Sequence, residues 1–201
     1  MKETIKIDEI LQGQEELAKF LDLFAKIEKS LSEQKITIVG IDGNSGSGKS
    51  TLANSLKRIY GADIIPMDDF FLPLELRHEA RLKEAGGNIH HERFKTDIID
   101  HLEEDTISYR AFDCSVMSYG DEKSIKTKPL LIVEGVYSFH PSISDIYDIK
   151  IFMCATKEEQ IERILKRSSK KQLERYLNEW IPLEDYYIKS FNLKDNCDFI
   201  F

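Results

Sequence analysis

Lys35-Ile36-Thr37-Ile38-Val39-Gly40-Ile41-Asp42, running directly into Gly43-Asn44-Ser45-Gly46-Ser47-Gly48-Lys49-Ser50, is the stretch on which the reading of this chain turns. Its first half is short, apolar and β-branched, the pattern of a buried strand. Its second half matches G-x-x-x-x-G-K-[ST] at every position. Glycines let such a loop curl until successive backbone N–H groups point inward at one anion. Beyond it, Leu52, Leu56, Ile59 and Tyr60 restore helical spacing. The loop therefore hands over to a helix N-terminus, whose orphan donors and positive dipole end favour phosphate. In a loop of this kind Lys49 reaches the β- and γ-phosphates of a nucleotide, and the Ser50 hydroxyl ligates Mg²⁺. A glycine- and serine-rich turn matching by accident would lack the strand before it and the amphipathic helix after it.

Working outward, Leu17, Phe20, Leu21, Phe24, Ile27 and Leu31 predict a helix over residues 14–32. Residues 62–67 read as a second strand, ending in Asp68-Asp69. A charged helix is expected over residues 74–85, stopped by Gly86-Gly87-Asn88. A short helix over 94–102 and a strand over 106–112 follow. Residues 118–129 are polar, with Gly, Asp, Lys and Pro, and read as a surface hairpin or loop. Leu130-Leu131-Ile132-Val133 has the apolar character of a central parallel strand. Residues 148–154 give another strand, 157–167 a helix, 173–191 more helix with a break near Pro182, and 196–201 a last short strand. Strands alternating with helices imply an α/β fold, a doubly wound and mostly parallel sheet with helices on both faces, the P-loop NTP hydrolase type.

Length and composition bound the function. The 201 residues suit one domain, with residues 1–34 as a helical extension packed on it and residues 163–175 as a lid. A net charge of −8 argues against nucleic acid or an anionic membrane as the main partner. No run approaches the length of a membrane span, and residues 1–10 alternate charged and apolar side chains, unlike a signal peptide. Three scattered cysteines, Cys114, Cys154 and Cys197, read as buried free thiols of a cytoplasmic protein. A homo-oligomer remains open.

In an open α/β sheet ligands sit outside the carboxyl ends of the strands, and polar residues converge there. Asp68 or Asp69 can accept the proton of an attacking hydroxyl or orient it; as a plain reading, either can cap the turn that follows. Glu134, closing the apolar strand, has a Walker-B-like place from which to hold Mg²⁺, or is a simple strand-end acid. Arg163 and Arg167 lie away from the apolar face of their helix. They read equally as a phosphate-binding lid or as a solvated face with Glu159–Arg163 and Glu162–Lys166 pairs. His90-His91 lacks a third ligand for a metal. Trp180 and Tyr186-Tyr187 read as packing residues.

These residues resemble the uridine kinase and phosphoribulokinase family of P-loop kinases, which is itself similar to pantothenate and nicotinamide riboside kinases. The resemblance runs from about Ile36 to the end and is carried by GIDGNSGSGKST (residues 40–51), MDDFF (67–71), LIVEG (131–135), the helix near Arg163 and the closing NCDFIF. It implies an ATP-dependent, Mg²⁺-requiring kinase of a small hydroxyl compound. Gly43 to Thr51 would hold the nucleotide, Asp68 would act as base with Lys49, Arg163 and Arg167 on the phosphates, and Ser50 and Glu134 would serve the metal. Asp69, His90, Arg93, Tyr109, Arg110 and Asp113 are the implied substrate residues. The departures lie on that side: His90 falls near the family's substrate aspartate, Arg110 and Asp113 differ from the uridine-binding wording, and Ser168 follows Arg167 where many members have Asp. A uridine kinase-like nucleoside kinase is the expectation. A kinase of pantothenate, nicotinamide riboside, a sugar or a polyol, or a nucleotide-binding regulator, are the alternatives. No N-K-x-D, D-x-x-G or L-S-G-G-Q segment supports a GTPase switch or a transporter ATPase.

Overall fold

A computed structural model describes residues 7–201. The first six residues of the segment read above as lacking a signal peptide lie outside the described residues. Five strands, β1 (Thr37–Gly43), β2 (Asp63–Pro66), β5 (Leu130–Glu134), β6 (Ile149–Met153) and β7 (Phe199–Ile200), form one sheet in the order β2-β5-β1-β6-β7. All neighbouring pairs in it are parallel. The remaining two, β3 (Thr106–Asp113) and β4 (Ser118–Lys126), pair antiparallel in a separate hairpin.

Because side chains alternate across a strand, the two central strands feed two cores. Val39, Ile41, Leu130 and Ile132 pack in one cluster with Leu23 and Ile27 of helix α1 (Ile7–Glu33) and with Ala53 and Leu56 of helix α2 (Lys49–Tyr60). Ile38, Leu131 and Val133 pack in the other, with Phe70, Phe94, Tyr109 and Tyr187. Each large apolar side chain so buried contributes about 1.5–3 kcal/mol relative to exposure. Helix α1 is tied down by a Ser30–Thr37 hydroxyl bond of 2.9 Å and by Phe20 stacked on Phe201 at 4.5 Å.

Several expectations are corrected. Residues 74–85 hold no long helix. They form a 3-10 turn (Leu74–Leu76) and the single-turn α3 (Glu79–Leu82), since this charged stretch has no apolar stripe to bury. Helix α4 (His91–Asp97) starts earlier than expected and ends in a separate 3-10 turn. Residues 118–126 are a strand, held by β3 rather than by an apolar face of their own. Helices α5 (Lys157–Arg167) and α6 (Lys170–Arg175) both begin with capping boxes, at Thr156 and Ser169. The chain does not break at Pro182. A π turn (Tyr176–Trp180) leads into α7 (Ile181–Ser190) with helical backbone through the junction, and Pro182 falls just after the wide π turn, where the regular i→i−4 ladder is already interrupted. None of the thiols is fully buried: Cys114 is exposed, Cys154 and Cys197 are half-buried, and all three are free.

Candidate active site

The loop after β1 has the curled geometry its glycines allow. Gly43 has φ 138°, and a Cβ there would stand 2.0 Å from the Met153 carbonyl. Gly48, φ 102°, caps α2 with no side-chain bond, so the first-turn N–H groups have no capping side chain. No acid lies in that first turn to compete with an anion. Ser47 Oγ, 5% exposed, has no partner, an orphan donor inside the loop. The ammonium of Lys49 donates to the carbonyls of Gly43 and Asn44, both at 2.9 Å. Burial lowers its pKa, while Asp42, Glu184, Glu134 and Asp68 around it favour the charged form.

Glu134 ends β5 in register with Ile41 of β1 and Pro66 of β2, so the sheet itself carries it to the loop. Ser50 Oγ donates to Glu134 Oε1 at 3.1 Å. Burial raises the Glu134 carboxyl, opposed by Lys49 and by that bond. These two hard oxygen donors, side by side at the helix N-terminus, fit Mg²⁺.

Asp68 sits in the 3-10 turn Met67–Phe70 that follows β2. It is exposed on the lining of a cleft, and the protein around it raises its carboxyl by desolvation. Lys49 pulls the value down, Asp69 pushes it up, and Arg167 of α5 pulls it down. Arg167 bears on Glu134 in the same way. Asp68, Glu134, Lys49 and Arg167 thus share one charged cluster.

The cleft beyond Asp68 encloses about 540 Å³, lined in part by Asp69, Phe71, Phe112, Asp113 and Lys123. That volume lies in the range of small-molecule sites. Asp69 Oδ2 accepts from Tyr109 Oη and Lys123 Nζ, each at 2.7 Å. Asp113 is at the rim, its carboxylate accepting from Ser115 N and Oγ.

His90, Arg93, Tyr109 and Arg110 do not line the cleft; they brace it. Arg93 donates to the carbonyls of Asp69 and Arg110, both at 2.6 Å, and lies over the Phe70 ring at 4.3 Å. It therefore ties α4 to the Asp68 turn and to the hairpin. Arg110 donates to Gly120 and Tyr119 carbonyls within the hairpin. His90 bonds Phe70 O through its backbone, with Nδ1 unpartnered, and burial lowers its pKa. His91 stacks on His140 at 4.4 Å instead of facing the cleft. Arg163 spans two partners, Gly46 O and Glu159, both at 3.0 Å, so it touches the loop while keeping its helical ion pair.

Three residues at the site have no role assigned from the sequence. Lys123 lies on the polar strand β4. Asp42 is the penultimate residue of β1, with no exposure, and burial pushes its carboxyl up to about 6. An acid closing a β-branched apolar strand was a usable signal. Glu184, 4% exposed, bonds Ser45 from far along the chain, and nothing local marks it.

A parallel sheet with a nucleotide loop after its central strand, an acid ending the neighbouring strand and a second acid facing a cleft define a P-loop phosphotransferase fold. The model of the Phosphoribulokinase / Uridine kinase family matches residues 38–174, and the chain belongs to that family of ATP-dependent small-molecule kinases. It is similar to a uridine kinase of Staphylococcus epidermidis, 25% identical over 169 residues, covering 76% of this chain and 82% of that one. A uridine kinase of Chlamydia pneumoniae is 28% identical over 171 residues, 76% of each chain. A solved structure from Bacillus stearothermophilus, described as a possible uridine kinase, superposes with a TM-score of 0.65 at 17% identity, covering 90% of this chain and 99% of that one; this likeness bears on the fold. Among the described residues no helix is long and apolar enough to cross a membrane.

Proposed function

We propose that this protein transfers the γ-phosphoryl group of ATP to a hydroxyl of a small, nucleoside-like alcohol held in the cleft, with Asp68 as the acceptor-side base. The observation that carries the reading is the place of Asp68, between the cleft and the Lys49–Glu134–Arg167 cluster. A carboxyl raised toward the working pH is a better base than one at its ordinary value. Lys49 exchanges the Gly43 and Asn44 carbonyls for phosphate oxygens, and the loop N–H groups bind the charge that builds up in transfer. Arg163 and Arg167 bring cationic groups to the same side and help keep water from competing as acceptor. Mg²⁺, held by Ser50 and Glu134, would neutralise charge on the β- and γ-phosphates.

The cleft wall narrows the acceptor. Asp69, Asp113, Asp121 and Glu122 line it against one cation, Lys123. Such a wall favours a neutral or cationic alcohol and repels a carboxylate such as pantothenate. The named relatives favour a uridine-like nucleoside; the charge of the wall makes nicotinamide riboside, with its cationic ring, the second reading. Asp68→Ala tests the base. Transfer should fall about 10²–10⁴-fold while ATP affinity stays within a few-fold. Near-full turnover by that variant would remove Asp68 from the role.

A further inference from the structure

Helix α6, the π turn and α7 join with right-handed helical backbone at every junction: Arg175 has φ −66° and ψ −40°, Tyr176 −56° and −48°, Trp180 −79° and −48°. Residues 170–190 are therefore one continuous helical rod. Its near end stands at the lid: Tyr176 lies beside Arg167, the same arginine that faces Asp68 and Glu134. Its far end stands under the phosphate loop. There Glu184 accepts from Ser45 N at 2.9 Å through one carboxylate oxygen and from Ser45 Oγ through the other. Three residues on, along the same face, the fully buried Tyr187 donates to Asp42 Oδ2 at 2.8 Å. Asp42 Oδ2 also takes Phe139 N at 2.9 Å, and its Oδ1 takes Gly43 N, the loop's first amide, at 2.6 Å.

The rod thus grips the loop at two points, Ser45 through Glu184 and Gly43 through Tyr187 and Asp42. Between the lid end and this grip lies the π turn, a wide and less regular stretch of the kind that recurs at functional sites. A buried carboxylate is tolerated only when hydrogen-bonded, and here both oxygens are spent on one residue, which fixes where that residue sits. We infer that Glu184 is a positioning residue for ATP: it sets the shape of the phosphate loop and couples that shape to the ordering of the lid.

The inference rests on the nucleotide half of the proposed reaction and not on the identity of the acceptor. ATP affinity by calorimetry and amide exchange over residues 163–180, with and without saturating ATP and Mg²⁺, test it in wild type, Glu184→Ala and Glu184→Gln. Glu184→Ala should raise the Kd and the KM for ATP about tenfold or more and leave the acceptor KM unchanged. It should also lose the lid protection that ATP induces in wild type. Glu184→Gln keeps an acceptor for Ser45 N and should recover most of both. Unchanged ATP affinity in Glu184→Ala, a Gln variant as impaired as Ala, or equal lid protection in all three would overturn the role. A wild type that failed to bind ATP would instead overturn the proposed function beneath it.

Discussion

The phosphate loop and the acceptor cleft are built from different kinds of structure. The loop leaves β1, whose seven residues are all buried, between two parallel neighbours, and it is gripped from below by Glu184 and from the side by Arg163. One wall of the cleft is a two-stranded hairpin outside the main sheet, and along β4 Ile125 alone is buried. The donor end is held by many interlocking buried bonds. The acceptor end hangs on a few, chiefly those of Asp69 and Arg93. In the proposed reaction the more heavily bonded end would position the transferring phosphate, and the other end would set which alcohol is taken.

Substitutions at the two ends should separate in kind as well as in size. Lys49→Ala removes the central cation of the donor end and leaves Asp42, Glu184, Glu134 and Asp68 facing one another. Turnover should fall about 10²–10³-fold with ATP binding weakened as well, by steady-state kinetics and calorimetry. A loss confined to the acceptor KM would erase the contrast. Asp69→Asn weakens the bonds from Tyr109 and Lys123 on the acceptor side. It should raise the acceptor KM about tenfold and leave the KM for ATP alone, whereas an equal rise in both would show the cleft to be no more independent than the loop.

The third effect expected is on stability, apart from catalysis, and it reports the burial of a carboxyl at the donor end. Asp42 has its carboxyl raised from 3.8 to about 6 by burial, so the folded state holds that proton more tightly than the unfolded chain. Its contribution is fully present below the unfolded value and is lost as pH rises through about 6. From the shift, wild type should lose up to about 3 kcal/mol relative to Asp42→Asn between roughly pH 4 and pH 7, any constant offset of the variant dropping out. Urea unfolding of both proteins at the two pH values measures this, and parallel curves would mean that Asp42 titrates normally.

How far the sequence could be read follows the same divide. Lys49 and Ser50 open α2 directly after a glycine-rich motif, and Glu134 closes a short apolar strand, so both the residues and their meeting place were legible. The central strands were legible from their short β-branched and aliphatic cores, Ile38–Ile41 and Leu130–Val133. The hairpin was half legible: Thr106–Asp113 alternates, but β4 is polar almost throughout and becomes a strand because β3 is beside it. The resemblance places Arg93 at the substrate, whereas in the fold its guanidinium reaches the Asp69 and Arg110 carbonyls and the Asp97 carboxylate, the first two being partners that only folding brings close. Glu184 looks like any acid on an amphipathic helix, because its partner Ser45 is 139 residues away.

The most direct test is phosphoryl transfer by the wild-type protein, with ATP and Mg²⁺, to uridine, cytidine, nicotinamide riboside and pantothenate in parallel, reading the phosphorylated acceptor itself. Product from a nucleoside or from nicotinamide riboside, with pantothenate untouched, is the result expected of an acid-walled cleft beside Asp68. Transfer to pantothenate in preference would contradict the acceptor assignment, and ATP bound without product from any of the four would contradict the proposed transfer.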